Sequence, residues 1–201
     1  MLTRTWLAGA VAMAFAVPAA EPLPAQAEAE SKVSTGKVGE KMPAFTAKVM
    51  RGDKSVDFDS TKNGKTTVYF TVGVTCPATG PYVSRYVALE ATYMPKEVDF
   101  VYLYVNSVGE SAAEKQKFHK ASRFAGALLN DEASAIAKKL AATKTGEALI
   151  VDKNGKVLYR GGIDDERNDP AKVKVKHVTR ALDEILAGKP VTAPSNKDVF
   201  G

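Results

Sequence analysis

"TTVYFTVGVTCPATGPYVSRYVALEATY", residues 66–93, joins two kinds of pattern around one sulfur. The first seven residues, Thr66 to Val72, are β-branched and aromatic, which predicts a strand. From Pro77 onward, Tyr82, Tyr86, Leu89 and Tyr93 recur at spacings of 4, 3 and 4, the mark of one helix face. Between them lies Cys76, the only cysteine of the 201 residues. Strand, thiol and helix in that order predict an α/β sheet with chemistry at a strand end, where open α/β sheets place their ligands.

Outward from this stretch the alternation continues. "VDFVYLYV" (98–105) is a near-continuous apolar run, as in a buried central strand. "ESAAEKQKFHKAS" (110–122) is helical in composition, "GALLND" (126–131) fits a short strand, and "EASAIAKKLAAT" (132–143) carries Ile136 and Leu140 on one helix face. "EALIVD" (147–152) and "KVLYRG" (156–161) flank Asn154-Gly155, a hairpin signal. Upstream, "AFTAKVM" (44–50) and "KSVDFD" (54–59) flank "RGD" and predict another hairpin. A last helix over 171–187 places Val175, Val178, Leu182 and Ile185 together and stops at Gly188 and Pro190. The sum predicts a central, mainly parallel sheet with an antiparallel edge hairpin and helices on both faces.

The ends read differently. Residues 1–27 have the form of a signal peptide: Arg4, then the uncharged run Trp6 to Val17, then "AQA" at 25–27. Twelve apolar residues are too few to span a bilayer, which takes about 20. Residues 28–39 read as a flexible linker, 40–190 as the folded domain and 191–201 as an irregular tail. An exported protein, periplasmic or extracellular, is therefore expected, with no membrane attachment after cleavage. The net charge of +5 is spread along the chain, and its densest cluster, "KVKVK" at 172–176, is short. Nucleic-acid binding needs a concentrated basic stripe, so it is not expected.

Export implies an oxidising compartment, where one cysteine pairs with a partner or serves as a reactive thiol. With Pro77 at the first helical position, Thr75 or Cys76 would cap the helix. The positive end of the helix dipole would then favour thiolate over thiol. A buried inert cysteine is the competing expectation. His119 and His177 read as surface residues, and "IDDERND" (163–169) as a solvated loop in which Asp169 caps the last helix. No metal site and no cofactor is expected, since metal ligands do not cluster.

The segments "VGEKMPAFTAKV", "VYFTVGVTCPATGPYVSRYVALEATY", "DFVYLYVNS", "VLYRGGIDDERNDP" and "ALDEILAGKPV" resemble the redoxin branch of the thioredoxin-like superfamily, relatives of peroxiredoxins and thiol:disulfide interchange proteins. The resemblance covers about residues 38–192. It implies a thioredoxin-like fold, with redox work at Cys76, hydroxyls from Thr75 and Thr79 nearby, and a substrate-docking loop at Thr145-Gly146. Three departures accompany it. Thr79 stands where a Cys-x-x-Cys motif has its second cysteine. Tyr69 and Gly73 stand where peroxiredoxins have proline and threonine. Gly146 replaces the proline of the Thr-Pro loop. The expected partners are protein or small-molecule thiols, disulfides or peroxide, with a disulfide-linked homodimer as one product. The alternative is a redox-inert binding module that kept the fold.

Overall fold

The structure, a computed structural model, describes residues 36–105, 109–131, 134–142 and 144–200. The expected signal peptide, and the linker up to residue 35, lie outside the described residues. Among the described residues seven strands form one sheet: β1 (Thr46–Arg51), β2 (Lys54–Asp59), β3 (Thr66–Val72), β4 (Val98–Tyr104), β5 (Ala127–Leu129), β6 (Glu147–Val151) and β7 (Val157–Gly162). Their spatial order is β2-β1-β5-β4-β3-β6-β7. The helices are α1 (Val83–Tyr93), α2 (Ala112–Ala121), α3 (Ala135–Lys139) and α4 (His177–Leu186).

The apolar runs explain the centre. Every residue of β4 is buried, and its side chains alternate between two cores. Phe100, Tyr102 and Tyr104 join Val68, Phe70 and Val72 of β3 on one face, packed against α1 and α4. Val101 and Leu103 join Tyr69 on the other face, with Ala137 of α3 and Phe45 and Phe58 near the first hairpin. Helices therefore cover both faces. One charge sits in this buried run: Asp99 receives two hydrogen bonds from Arg51, at 3.1 and 2.6 Å.

The expected parallel sheet narrows to its middle. Among the described strands, β3–β4 and β4–β5 are the ladders that pair in parallel, where α1 and α2 carry the chain back to start each strand from the same end. The ladders β1–β2, β1–β5, β3–β6 and β6–β7 are antiparallel, so the sheet is mixed, with a hairpin on each edge.

Three helices start later than their periodicity predicts. Gly80-Pro81-Tyr82 forms a 3-10 turn, so α1 begins at Val83 rather than Pro77. Pro170–Lys172 is another such turn, capped by Asp169, and α4 begins only at His177. The alternating "VKV" between them is held extended by Asp165, whose carboxylate accepts the Lys174 and Val175 N–H groups at 3.0 Å. α3 is five residues long, with Asp131 accepting from Ile136 and Ala137. The tail lacks regular structure but is docked: Asn196 Oδ1 accepts the Gly162 N–H at 2.9 Å, and Ser195 bridges to Arg160.

Both histidines are buried, against expectation. His177 Nε2 lies 2.7 Å from Asp198 Oδ2 of the tail. His119 packs edge-on against Tyr102 and Phe124, with Nε2 2.9 Å from the Gly126 carbonyl. Burial holds the His119 pKa below its ordinary 6.5, the Gly126 bond opposing that only in part. The unfolded chain then takes up a proton that the folded one refuses. Stability from this group is present above pH 6.5 and lost as pH falls. Burial raises the Glu90 carboxyl, which acts in the opposite sense, so the useful measurement is a difference. Thermal melting of the parent should fall more steeply between about pH 7 and 5 than that of His119→Gln. Parallel curves would remove His119 as the cause.

Candidate functional site

The chain leaves the central strand β3 at Val72 and turns at once. Gly73 has no side chain, and a Cβ there would stand 3.1 Å from Cys76 Cβ and 3.3 Å from Thr145 Cγ2. That vacancy of bulk lets three segments converge. Pro77 is the second residue of a tight turn closed by the Thr79 N–H on the Cys76 carbonyl at 3.0 Å, a position proline favours. A second turn follows, from Tyr82 N–H to the Thr79 carbonyl at 3.0 Å, before α1 begins. Cys76 is thus four residues ahead of the 3-10 turn, not at a helix cap, and the expected dipole contact with its sulfur is not made.

Another group meets the sulfur instead. Cys76 Sγ is 2.9 Å from Thr145 Oγ1, with Cys76 half-buried and Thr145 fully buried. Thr145 is held by its neighbours' backbone. Thr71 Oγ1 donates to the Lys144 carbonyl at 2.7 Å and accepts the Glu147 N–H at 2.9 Å, while the Thr71 carbonyl accepts the Gly146 N–H at 2.9 Å. Gly146 has φ +79°, a left-handed value that proline cannot adopt. The position of the Thr-Pro loop is therefore filled by a different device, which uses an N–H that proline lacks.

The remaining expected residues frame the thiol. Thr79 is buried, and its hydroxyl accepts the Gly73 N–H at 3.1 Å rather than serving the sulfur. Thr75 turns outward; its N–H and hydroxyl both donate to Glu110 Oε1, at 3.0 and 2.9 Å, tying the loop to the approach of α2. Cys76, Thr145 and Gly146 are brought together, Thr79 braces the turn, and Thr75 anchors it.

Sequence reading leaves Tyr82 and Tyr86 as core contacts of the helix face or as phenols near the thiol, and misses the ion pair beside them. Tyr82 and Tyr86 are fully buried, as their spacing predicts, and burial raises both phenols above their ordinary range. Beside them Arg85 donates to both oxygens of Asp164, at 2.9 and 3.0 Å, and to the Glu166 and Arg167 carbonyls. Asp164 is buried, so the "IDDERND" loop is not wholly solvated. An aspartate directly after an apolar residue at a strand end was the available signal, but its partner lies 79 residues away.

Residues 37–178 match the Redoxin family. No curated protein sequence matches the chain. Among solved structures, it is similar to an uncharacterized conserved protein from Geobacillus kaustophilus, with 29% identity, 79% of this chain and 88% of that one covered, and a TM-score of 0.70. A putative thiol:disulfide interchange protein DsbE from Chlorobium tepidum has 19% identity, 75% and 96% coverage and a TM-score of 0.56. Mycobacterium tuberculosis AhpC has 13% identity, 76% and 94% coverage and a TM-score of 0.58. These last two likenesses are of fold.

Proposed function

This chain belongs to the Redoxin family, and on that premise we propose that it is a single-thiol redox protein working through Cys76. The observation that carries the reading is the Cys76–Thr145 contact of 2.9 Å, a half-buried thiol held at the end of a central strand by a fully buried hydroxyl. With a disulfide, the thiolate forms a new S–S bond, the old one breaks, and the released sulfur takes up a proton. With a peroxide, an S–O bond forms as the O–O bond breaks, leaving a sulfenic acid and an alcohol or water. The chain has one cysteine, so an external thiol completes either cycle. It displaces the protein from the mixed disulfide, or condenses with the sulfenic acid and releases water.

Thr75, Thr79, Thr145 and Gly146 act by shaping the loop. The filled space at Gly73 argues against a peroxidatic hydroxyl there, which favours disulfides and small thiols as partners. The apolar run and "AQA" motif support export, with residues 1–27 removed. Gly39 N–H bonds the Val157 carbonyl at 2.9 Å, so the folded domain takes in the end of the 28–39 segment.

Purified protein treated with an oxidant should form a disulfide-linked homodimer, or a lasting adduct with an added small thiol, by intact mass. Reduction of insulin-type disulfides should stay slow until a monothiol is supplied. Fast repeated turnover without any external thiol would defeat the mechanism. Failure to form any adduct would favour the redox-inert binding module.

A further inference from the structure

One face of α2 stays polar where it meets the sheet. Ala113, Gln116, Lys117 and Lys120 recur at helical spacings, and all four are exposed. Opposite them the sheet presents an apolar wall. β1 and β5 pair Met50 with Leu128, so these side chains stand together on one sheet face, and Phe124 belongs to the same core. A helix meant to close on that wall would carry apolar residues at those positions. The space between is a cavity of about 570 Å³, lined also by Gly52 and Asp53 of the β1–β2 turn. Small-molecule sites run from about 300 to 1,000 Å³. None of the lining residues belongs to the thiol loop.

The charges at this cavity are unbalanced. Lys117, Lys120 and Arg123 line it against one carboxylate, Asp53. Lys120 Nζ is 3.9 Å from Asp53 Oδ1, and both side chains are more than four-fifths exposed, so that pair is loose. Lys117 and Arg123 have no side-chain partner among the described residues. A cation suits the negative end of a helix, which accounts in part for Lys120 and Arg123, but Lys117 stands in the middle of α2. Arg123 has φ +58°, the left-handed conformation in which helices commonly end on glycine. Arginine keeps a guanidinium at the cavity, at a backbone cost that glycine would avoid.

We propose that this cavity binds a small amphipathic carboxylate, its head among Lys117, Lys120 and Arg123 and its apolar body over Met50, Phe124 and Leu128. Charge and size select this occupant. An uncharged apolar molecule leaves the three cations unused, and a cationic one meets their repulsion. The volume suits a small molecule rather than an extended chain. His119 lines the same space, but its ring nitrogens are taken by the Gly126 carbonyl and the Tyr104 hydroxyl, so it offers ring surface alone. The site is independent of the chemistry at Cys76.

The test is a titration of the isotope-labelled protein with octanoate, followed by amide NMR shifts. Octanol, which lacks the charge, and acetate, which lacks the body, are run beside it. Octanoate should saturate, move the amides of Gly52, Lys117, Lys120 and Leu128, and bind at least about tenfold more tightly than either control. The double variant Lys117→Gln, Arg123→Gln should weaken octanoate about tenfold, the order expected for two exposed charge contacts, and leave octanol unchanged. Both side chains are exposed, so the fold should hold, and melting curves check it. Octanoate that binds no better than octanol, that never saturates, or that moves amides elsewhere would overturn the proposal. An unchanged affinity in the double variant would overturn it too. Movement of the same amides on raising protein concentration alone would put a second copy in the cleft instead. Tighter binding of the peptide Glu-Leu-Glu-Leu than of octanoate would make the cleft a peptide groove, and either result overturns the small-molecule site.

Discussion

Cys76→Ser abolishes every covalent adduct of this protein with disulfides, peroxides and thiol-directed alkylating agents. The chain has no other cysteine, so intact mass should stay at the unmodified value under conditions that convert the parent fully. The fold should survive. Cys76 is only half-buried, and a serine hydroxyl can keep a bond to Thr145 Oγ1. The turns that hold the loop run through the Cys76 carbonyl and the Thr79 backbone, which the substitution leaves alone. Stability should therefore change by less than about 1 kcal/mol, the ordinary range for a substitution that opens no cavity and strands no charge. Adducts persisting in the serine variant would place the chemistry on another group. A collapse in melting temperature would make the sulfur a packing element, which is the inert-cysteine expectation.

The fold was readable where one signal dominates. β3 and β4 announced themselves by unbroken β-branched and aromatic runs, because burial on both faces leaves no polar position to confuse the pattern. Helix starts were less legible. Apolar spacing continued through Gly80-Pro81 and through "KVKVK", and only the turn at one site and the Asp165 carboxylate at the other show why neither segment is α-helical. Strand direction was read correctly inside the β3-α1-β4-α2-β5 unit. It failed at β6, which a short α3 delivers antiparallel to β3. At the site, Cys76 stood out from its place in the chain, whereas Thr145 and Gly146 were found through family resemblance. The reason Gly146 works is long-range: its N–H meets a carbonyl 75 residues earlier. The burial of Asp164 by Arg85 and of His119 by an aromatic cluster is of the same kind, visible only once distant segments are side by side.

Restoring the family's proline should break this site. In Gly146→Pro the ring fixes φ near −65°, where the native residue has +79°. It also deletes the N–H that bonds the Thr71 carbonyl at 2.9 Å. An acceptor left unpaired in a buried place costs about 1–3 kcal/mol. Forcing the loop into another backbone region adds about 1–3 kcal/mol. Together these should lower the melting temperature by about 4–24 °C for a chain of this size. The residue before a proline is pushed toward extended backbone, so Thr145 should also lose its approach to the sulfur. Gly146→Ala separates the two causes, since it keeps the N–H and suffers only the left-handed backbone, at about 1–2 kcal/mol. The expected order of melting is parent, alanine, then proline, with Cys76 alkylation altered most in the proline variant. A proline variant as stable as the parent would show that the loop can take up a second geometry. The Thr71 clamp would then be a consequence of glycine at 146 rather than the device that aims Thr145 at the thiol.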